Sequence, residues 1–149
     1  MSTFDFQLLA FSNFTPFELY AYLQLRSEVF VVEQTCIYQD LDDKDQDSLH
    51  VLVFLEKRLV ACARIVPAGI CHEQISIGRV IVAKPFRQKA LGQQLMTFCI
   101  EQIENNFGPQ AIALSAQAHL QDFYKKLNFA PVGEIYLEDD IPHILMIKS

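Results

Sequence analysis

No apolar run in the 149-residue sequence approaches the ~18–20 residues that a membrane-spanning helix needs. The N-terminus, Met1-Ser2-Thr3-Phe4-Asp5-Phe6-Gln7, lacks the basic flank of a secretory signal. A basic excess is also missing. Twelve Lys and Arg face 18 Asp and Glu, a formal charge of −6, which argues against a general surface for DNA, RNA or anionic lipid. Cys36, Cys62, Cys71 and Cys99 lie far apart, with no Cys-x-x-Cys and no His-x-x-x-His, so no common zinc site is expected. Cys62 and Cys99 fall in apolar patterns, as reduced core cysteines do. Repeats, low-complexity tracts and interdomain linkers are absent. These absences point to a cytoplasmic protein with free thiols, partnered by neither membrane nor nucleic acid. Its length fits one domain over residues 1–149, since domains run to ~100–200 residues. At 51% hydrophobic, it can bury a core without staples.

Alternation at Phe4, Phe6 and Leu8 predicts a first strand over Phe4–Phe11. Thr15-Pro16-Phe17-Glu18 reads as a capping box, opening a helix from Pro16 to about Phe30. The polar stretch Gln39–Ser48 reads as a surface loop. A strand pair follows, His50–Leu55 and Leu59–Val66, turned at Glu56-Lys57-Arg58 and broken by Pro67-Ala68-Gly69. Ile75–Val82 is β-branched and predicts another strand. After Pro85 the period becomes helical, with Leu91, Leu95, Phe98 and Ile103 on one face and Gly108-Pro109 as the stop. A buried strand at Ala111–Ala116, a short helix from Leu120 to Leu127, and strands near Pro131–Tyr136 and His143–Ile147 complete the order. This is mixed α/β, with hairpins first and a β-α-β-α unit later.

Residues 79–92 combine a strand, a basic turn and a helix start. Between Gln74 and Ile100 stand Arg79, Lys84, Arg87 and Lys89 and no acid. Free N–H groups at a helix N-terminus bind phosphate, and a glycine there lets an anion approach the backbone.

Arg87-Gln88-Lys89-Ala90-Leu91-Gly92 resembles the acyl-CoA pyrophosphate loop of the GNAT N-acetyltransferases, Gln/Arg-x-x-Gly-x-Gly/Ala, with Ala90 in place of the first glycine. Phe123-Tyr124-Lys125-Lys126-Leu127-Asn128-Phe129 is similar to the family's Tyr-x-x-x-Gly-Phe signature, Asn128 standing for glycine because Asn tolerates left-handed geometry. Leu25–Gln34, Tyr38-Gln39-Asp40, Gly92–Met96, Ala116–Leu120 and Ile141–Ile144 resemble the bacterial ElaA-like branch, so the likeness spans nearly the whole chain. It implies a single GNAT-like domain. A central, mixed, mostly antiparallel sheet of about six to seven strands would be flanked by about four helices, with a splayed acyl-CoA cleft.

For chemistry, the resemblance implies acetyl-CoA as acyl donor, no metal, and direct attack of a small amine or peptide amine on the thioester. Val80, Ile81 and Val82 would pair with the pantetheine arm. The loop Arg87, Gln88, Lys89, Ala90, Leu91, Gly92 and Gln93 would hold the pyrophosphate. Gln117 matches a position where relatives place a cofactor-contacting Asn. Tyr124 matches the tyrosine that protonates the CoA thiolate, against the plainer reading of a core tyrosine with a satisfied hydroxyl.

The base is open. Glu33 is the first candidate; His50, His119 and His143 are alternatives because imidazole titrates near neutrality. His50 and His143 each begin a strand, where an ordinary hydrogen-bonded histidine is the plainer reading. A Cys71–His72 nucleophile pair is disfavoured because neighbours in an extended chain point apart. Residues 33–56 carry seven acids (Glu33, Asp40, Asp42, Asp43, Asp45, Asp47, Glu56) and one base, Lys44. A calcium loop fails on Ser48 at the turn glycine and Phe54 at the bidentate Glu. That leaves a solvated acidic loop or, more sharply, a wall that steers a cationic amine.

Two other functions fit the same pattern. One is an acyl-homoserine-lactone synthase, which Arg26–Phe30 resembles but which needs tryptophans that this chain lacks. The other is a non-catalytic acyl-CoA sensor. Pairing of the final strands between two copies, giving a homodimer, is compatible with the sequence.

Overall fold

The computed structural model describes residues 3–87 and 90–149. Seven strands form one sheet: β1 (Asp5–Ala10), β2 (Leu49–Leu55), β3 (Arg58–Val66), β4 (Ile75–Val82), β5 (Ile112–Gln117), β6 (Ala130–Glu138) and β7 (Ile141–Lys148). Their order across the sheet is β1-β2-β3-β4-β5-β7-β6. Every pairing is antiparallel except β4 with β5. Three α-helices accompany it: α1 (Pro16–Arg26), α2 (Leu91–Phe107) and α3 (Gln121–Lys125). The expected fourth helix is absent among the described residues; short 3-10 turns and one π-helical segment take its place. No described helix is long and apolar enough to cross a membrane.

Local signals act as the sequence implies at the start of α1. Thr15 Oγ1 accepts from the Glu18 N–H at 3.1 Å, and Glu18 Oε1 accepts from the Thr15 N–H at 2.9 Å. The reciprocal box satisfies two otherwise orphaned donors and contributes about 1 kcal/mol. The other end differs from expectation. Instead of running as α-helix to Phe30, the chain widens at Ser27 into a π-helix through Glu33, with bonds such as Cys36 N–H to the Val31 carbonyl. The β2–β3 hairpin turns on Glu56 and Lys57, both at positive φ, as a two-residue turn between twisted strands demands.

The central strands are covered on both sides. Val51 and Val53 of β2 pack with Leu91, Leu95, Met96, Cys99 and Ile103 of α2, while Leu52 between them packs with Tyr22 and Leu25 of α1. Period-2 alternation thus feeds two cores, one per face. In β4 the alternation breaks. Ile77 faces the α2 core, yet Ile81, of the same parity, faces the α1 core. Between them Arg79 adopts a left-handed φ of 50°, and the β3–β4 register shifts between Cys62 and Arg64. An extra residue on β4 makes this a bulge, which re-phases the strand.

The acidic loop is the main departure from expectation. Asp40 and Asp45 are buried. Arg26, with no exposed surface, donates to Asp40 at 2.9 Å and Asp45 at 2.8 Å. Arg64 donates to Asp42 at 2.8 and 2.9 Å and to Asp45 at 3.0 Å, and Arg79 to Asp40 at 2.7 Å. Asp40, Asp42 and Asp45 are thus counter-charges within the fold and not a solvated or steering face, while Asp43 and Asp47 stay exposed. Arg79 also leaves the basic count of the supposed anion cradle.

His50 completes the cluster. It accepts from Tyr22 Oη through Nδ1 at 2.7 Å and donates through Nε2 to the Asp45 carbonyl at 2.9 Å, with burial holding its pKa down. It is a structural histidine.

Burial opposes ionisation of Asp45, but hydrogen bonds from Arg26 and Arg64 win and leave its pKa lowered; Asp42 is lowered likewise through Arg64. A depressed carboxylate pKa contributes stability fully above the unfolded value of ~3.9, and loses it as pH falls towards the folded value. Asp45→Asn is therefore expected to cost about 3–5 kcal/mol at pH 7, by stranding buried guanidinium charge. Urea titrations from pH 7 to pH 2.5 should show the wild type losing stability below about pH 4 and the variant losing less over the same range.

Candidate active site between strands β4 and β5

Strands β4 and β5 are parallel partners at only two positions, Ile75 with Ile112 and Ser76 with Ala113. Beyond them the strands separate. A cavity of about 640 Å³ occupies the gap and is lined from both strands, including Gly78, Val80, Ser115 and Gln117. That volume suits a small-molecule site.

Ala83 N–H pairs with the Val60 carbonyl, so by strand alternation the backbone of Ile81 turns to β3 while Val80 and Val82 turn theirs to the gap. Ile81 also buries its side chain against α1. Of the three expected to pair with pantetheine, only Val80 and Val82 offer free-edge groups, and Arg87 Nε already donates to the Val82 carbonyl at 2.8 Å.

Gln88 and Lys89, expected in the phosphate loop, lie outside the described residues. The neighbouring Ala90 sits at the N-cap of α2 with φ 58° and ψ 10°, and no side chain caps the helix there. The first N–H groups of Leu91, Gly92 and Gln93 are thus without the usual side-chain acceptor among the described residues, the arrangement that suits an anion. Gly92 follows in the first turn of α2; a Cβ there would meet the Phe123 ring at 3.5 Å and Val82 Cγ2 at 3.8 Å, ordinary contacts, so packing alone does not demand a glycine at this position.

Tyr124, on α3, reaches the gap from the α2 side of the sheet. Its ring packs with Phe129 and its neighbour Phe123, and the residue is only 7% exposed. The hydroxyl has no hydrogen-bond partner among the described residues, and the side chain lines the cavity. Burial, with a smaller contribution from Cys99, pushes its pKa up to about 12. The phenol is therefore fully protonated at neutral pH. Asn128, at the glycine position, holds φ 71° and lets the chain turn back into β6.

Glu33 is not brought to Tyr124. It ends the π-helical segment and takes a bidentate ion pair from Arg87, at 2.7 and 3.1 Å. Those bonds hold its pKa below the usual carboxylate range, and it is not among the cavity-lining residues. In this arrangement both Glu33 oxygens are engaged by Arg87, away from the cavity wall that carries Tyr124. Gln117 ends β5 on the cavity wall, 3.5 Å from Gln34. His119 is in the 3-10 turn after β5 and does not line the cavity, whereas His72 and His143 do. The lining also includes Phe30 and Gln34, which the π-helical widening delivers; no sequence pattern announces that turn.

A left-handed alanine costs roughly 1–2 kcal/mol. Ala90→Gly is accordingly expected to raise stability by about 1 kcal/mol, since glycine adopts this conformation freely. Thermal unfolding measures it, and CoA affinity by calorimetry should not fall.

A family model described as an acetyltransferase (GNAT) domain matches residues 18–149. Protein ElaA of Escherichia coli K12 is 45% identical over 147 residues, covering 97% of this chain and 96% of that protein. Its crystal structure superposes with a TM-score of 0.92 over 99% of this chain and 100% of that one. An acyl-CoA N-acyltransferase from Pseudomonas aeruginosa is 41% identical, with a TM-score of 0.93 over 99% of this chain and 100% of that one. A CoA-dependent acyl-homoserine lactone synthase, BjaI, shares the fold at 19% identity, with a TM-score of 0.80 over 97% of this chain and 82% of that one. The chain belongs to the GNAT acetyltransferases, a family of acyl-CoA-dependent transferases, within its ElaA-like branch.

Proposed function

We propose that the protein transfers an acetyl group from acetyl-CoA directly to a primary amine, with Tyr124 as proton donor to the departing thiolate. The observation that carries this reading is the Tyr124 hydroxyl, protonated, unpartnered among the described residues and facing the gap between β4 and β5. The pantetheine arm would lie along the Val80 and Val82 edge, in the place a longer β5 would have filled. The pyrophosphate would rest at the start of α2, where the N–H groups and helix dipole favour negative charge.

Arg87 fits this arrangement in spite of Glu33. An ion pair about one-third exposed on both sides is worth at most ~1 kcal/mol, so a polyphosphate can draw the guanidinium away. A phenol with a pKa of about 12 is a weaker acid than a free thiol, whose pKa is ~8.5. The same desolvation that raises the phenol would raise the bound thiol, which narrows the difference.

The homodimer belongs to the same reading. β6 is an outer strand exposed along its length, with Val132, Ile135 and Leu137 to the solvent, a template for a second copy. Four free thiols fit a reducing compartment such as the cytoplasm.

Thiol release from acetyl-CoA across a panel of primary amines tests the proposal. Turnover with at least one amine is expected, and Tyr124→Phe should lower kcat about 10²-fold or more while leaving the KM for acetyl-CoA unchanged. Tight CoA binding without turnover on any amine would instead mark a non-catalytic sensor.

A further inference from the structure

The cavity takes its lining from both faces of the sheet, Leu114 and Tyr124 on the α2 side and Phe30 on the α1 side. Ile144 and Met146 of β7 point into the α2 core, so His143, between Pro142 and Ile144, faces the opposite side. It lies in register with Gln117 across the β5–β7 pairing, and both line the cavity. Tyr124 therefore approaches from one face of the sheet and His143 from the other.

The imidazole is fixed on three sides. Nδ1 lies 2.7 Å from the Ile141 carbonyl, which can only accept, so Nδ1 carries the hydrogen. The Tyr136 ring stacks on the imidazole, with centroids 6.3 Å apart and planes inclined by 23°, and the Tyr136 hydroxyl is bonded to Ser115 Oγ. In neutral His143 the lone pair therefore sits on Nε2, 3.3 Å from Glu138 Oε2. Glu138 and Asp139 of the β6–β7 turn also line the cavity. Of the other charged groups in the lining, Asp42 is paired with Arg64 and Arg79 with Asp40, while Lys44 adds a cation on the wall formed by the 40–45 segment. His72, which faces Glu138 from the 70–72 loop, has its pKa lowered by burial and is neutral at pH 7.

We propose that His143 is the base that deprotonates the acceptor, and that the Glu138–His143 hairpin seats a small alkylammonium ion on the face of the sheet opposite Tyr124. The proposal rests on the N-acetyltransferase reading. An aliphatic amine is almost wholly protonated at pH 7, with a pKa near ~10, and must lose a proton before it can attack. Glu138, on the cavity wall beside Nε2, supplies the negative charge that attracts the cation.

The step balances. The ammonium gives one proton to Nε2, and the nitrogen lone pair forms the N–C bond to the thioester carbon. As the C–S bond breaks, the thiolate takes the Tyr124 proton. The second proton of the amine nitrogen returns to the phenolate, and His143 releases its proton to solvent beside Glu138. One proton leaves per turnover. The base contributes because His143 faces the incoming ammonium while Tyr124 faces the sulfur; the phenolate is then restored by the second proton of the nitrogen.

The test compares wild type, His143→Gln and Glu138→Gln in thiol release from acetyl-CoA, from pH 6 to pH 10, with the best amine of the panel. His143→Gln should lower kcat/KM for the amine about 10²-fold at pH 7 and leave the KM for acetyl-CoA unchanged. The deficit should shrink steadily as pH approaches the pKa of the amine itself, where free amine is supplied by solvent. Glu138→Gln, at a half-exposed side chain that folding tolerates, should raise the amine KM several-fold with a smaller change in kcat. A His143→Gln profile parallel to wild type at every pH, or wild-type turnover at pH 7, overturns the assignment while the Tyr124 dependence stands. Absence of turnover in the wild type itself overturns the acetyltransferase reading, and this proposal with it.

Discussion

The buried guanidinium of Arg26 is the constraint on which the rest of the site depends. With no exposed surface, it must be paired, because an uncompensated charge in the interior costs several kcal/mol. Asp40 and Asp45 supply the pairs, and in doing so they draw the whole 40–45 segment down onto the sheet. Asp45 also binds Arg64 on β3, and Asp40 binds Arg79 on β4. One network thus ties together the end of α1, the acidic segment and two strands.

That network holds the bulge in place. Arg79 sits in a left-handed conformation that a non-glycine residue adopts only under compulsion. Its side chain lies over the rings of Phe30 and Tyr38, at 6.0 and 5.8 Å, and its guanidinium bonds Asp40. The extra residue re-phases β4, so that Val80 and Val82 turn their backbones to the gap instead of continuing the earlier pattern. The gap is open because β5 leaves β4 after two paired residues. Tyr124 lines the cavity from the α2 side of the sheet and His143 from the other.

Much of the fold was legible locally. The Thr15–Glu18 capping box depends on four consecutive residues, and the helical period from Leu91 to Ile103 on a repeat of about 3.6 residues, so both are written in short windows. The hairpin at Glu56-Lys57 and the left-handed Asn128 follow from the same kind of local rule. The charged residues were misread for the opposite reason. Arg26 is 14 residues from Asp40 and Arg87 is 54 from Glu33, and no window of sequence reports which acid meets which base. A run of acids looks solvated until the cations that neutralise it are folded onto it. The basic count before α2 overstated the free charge, since Arg79 and Arg87 are both engaged.

By itself, the sequence determined the element order, the place of Tyr124 on a short helix after β5, and family membership through motifs spread along the chain. These rest on periodicity and on turn and cap chemistry, which act over a few residues. Only the tertiary structure decided that Glu33 serves Arg87, that Ile81 turns away from the gap, that the acidic loop is an internal counter-charge, and that His143 faces the cavity. Those outcomes depend on the bulge at Arg79, on strand register, and on ion pairs between distant residues. A one-residue change of phase sends a side chain to the other face of a sheet, and that phase is settled only when the strands pair.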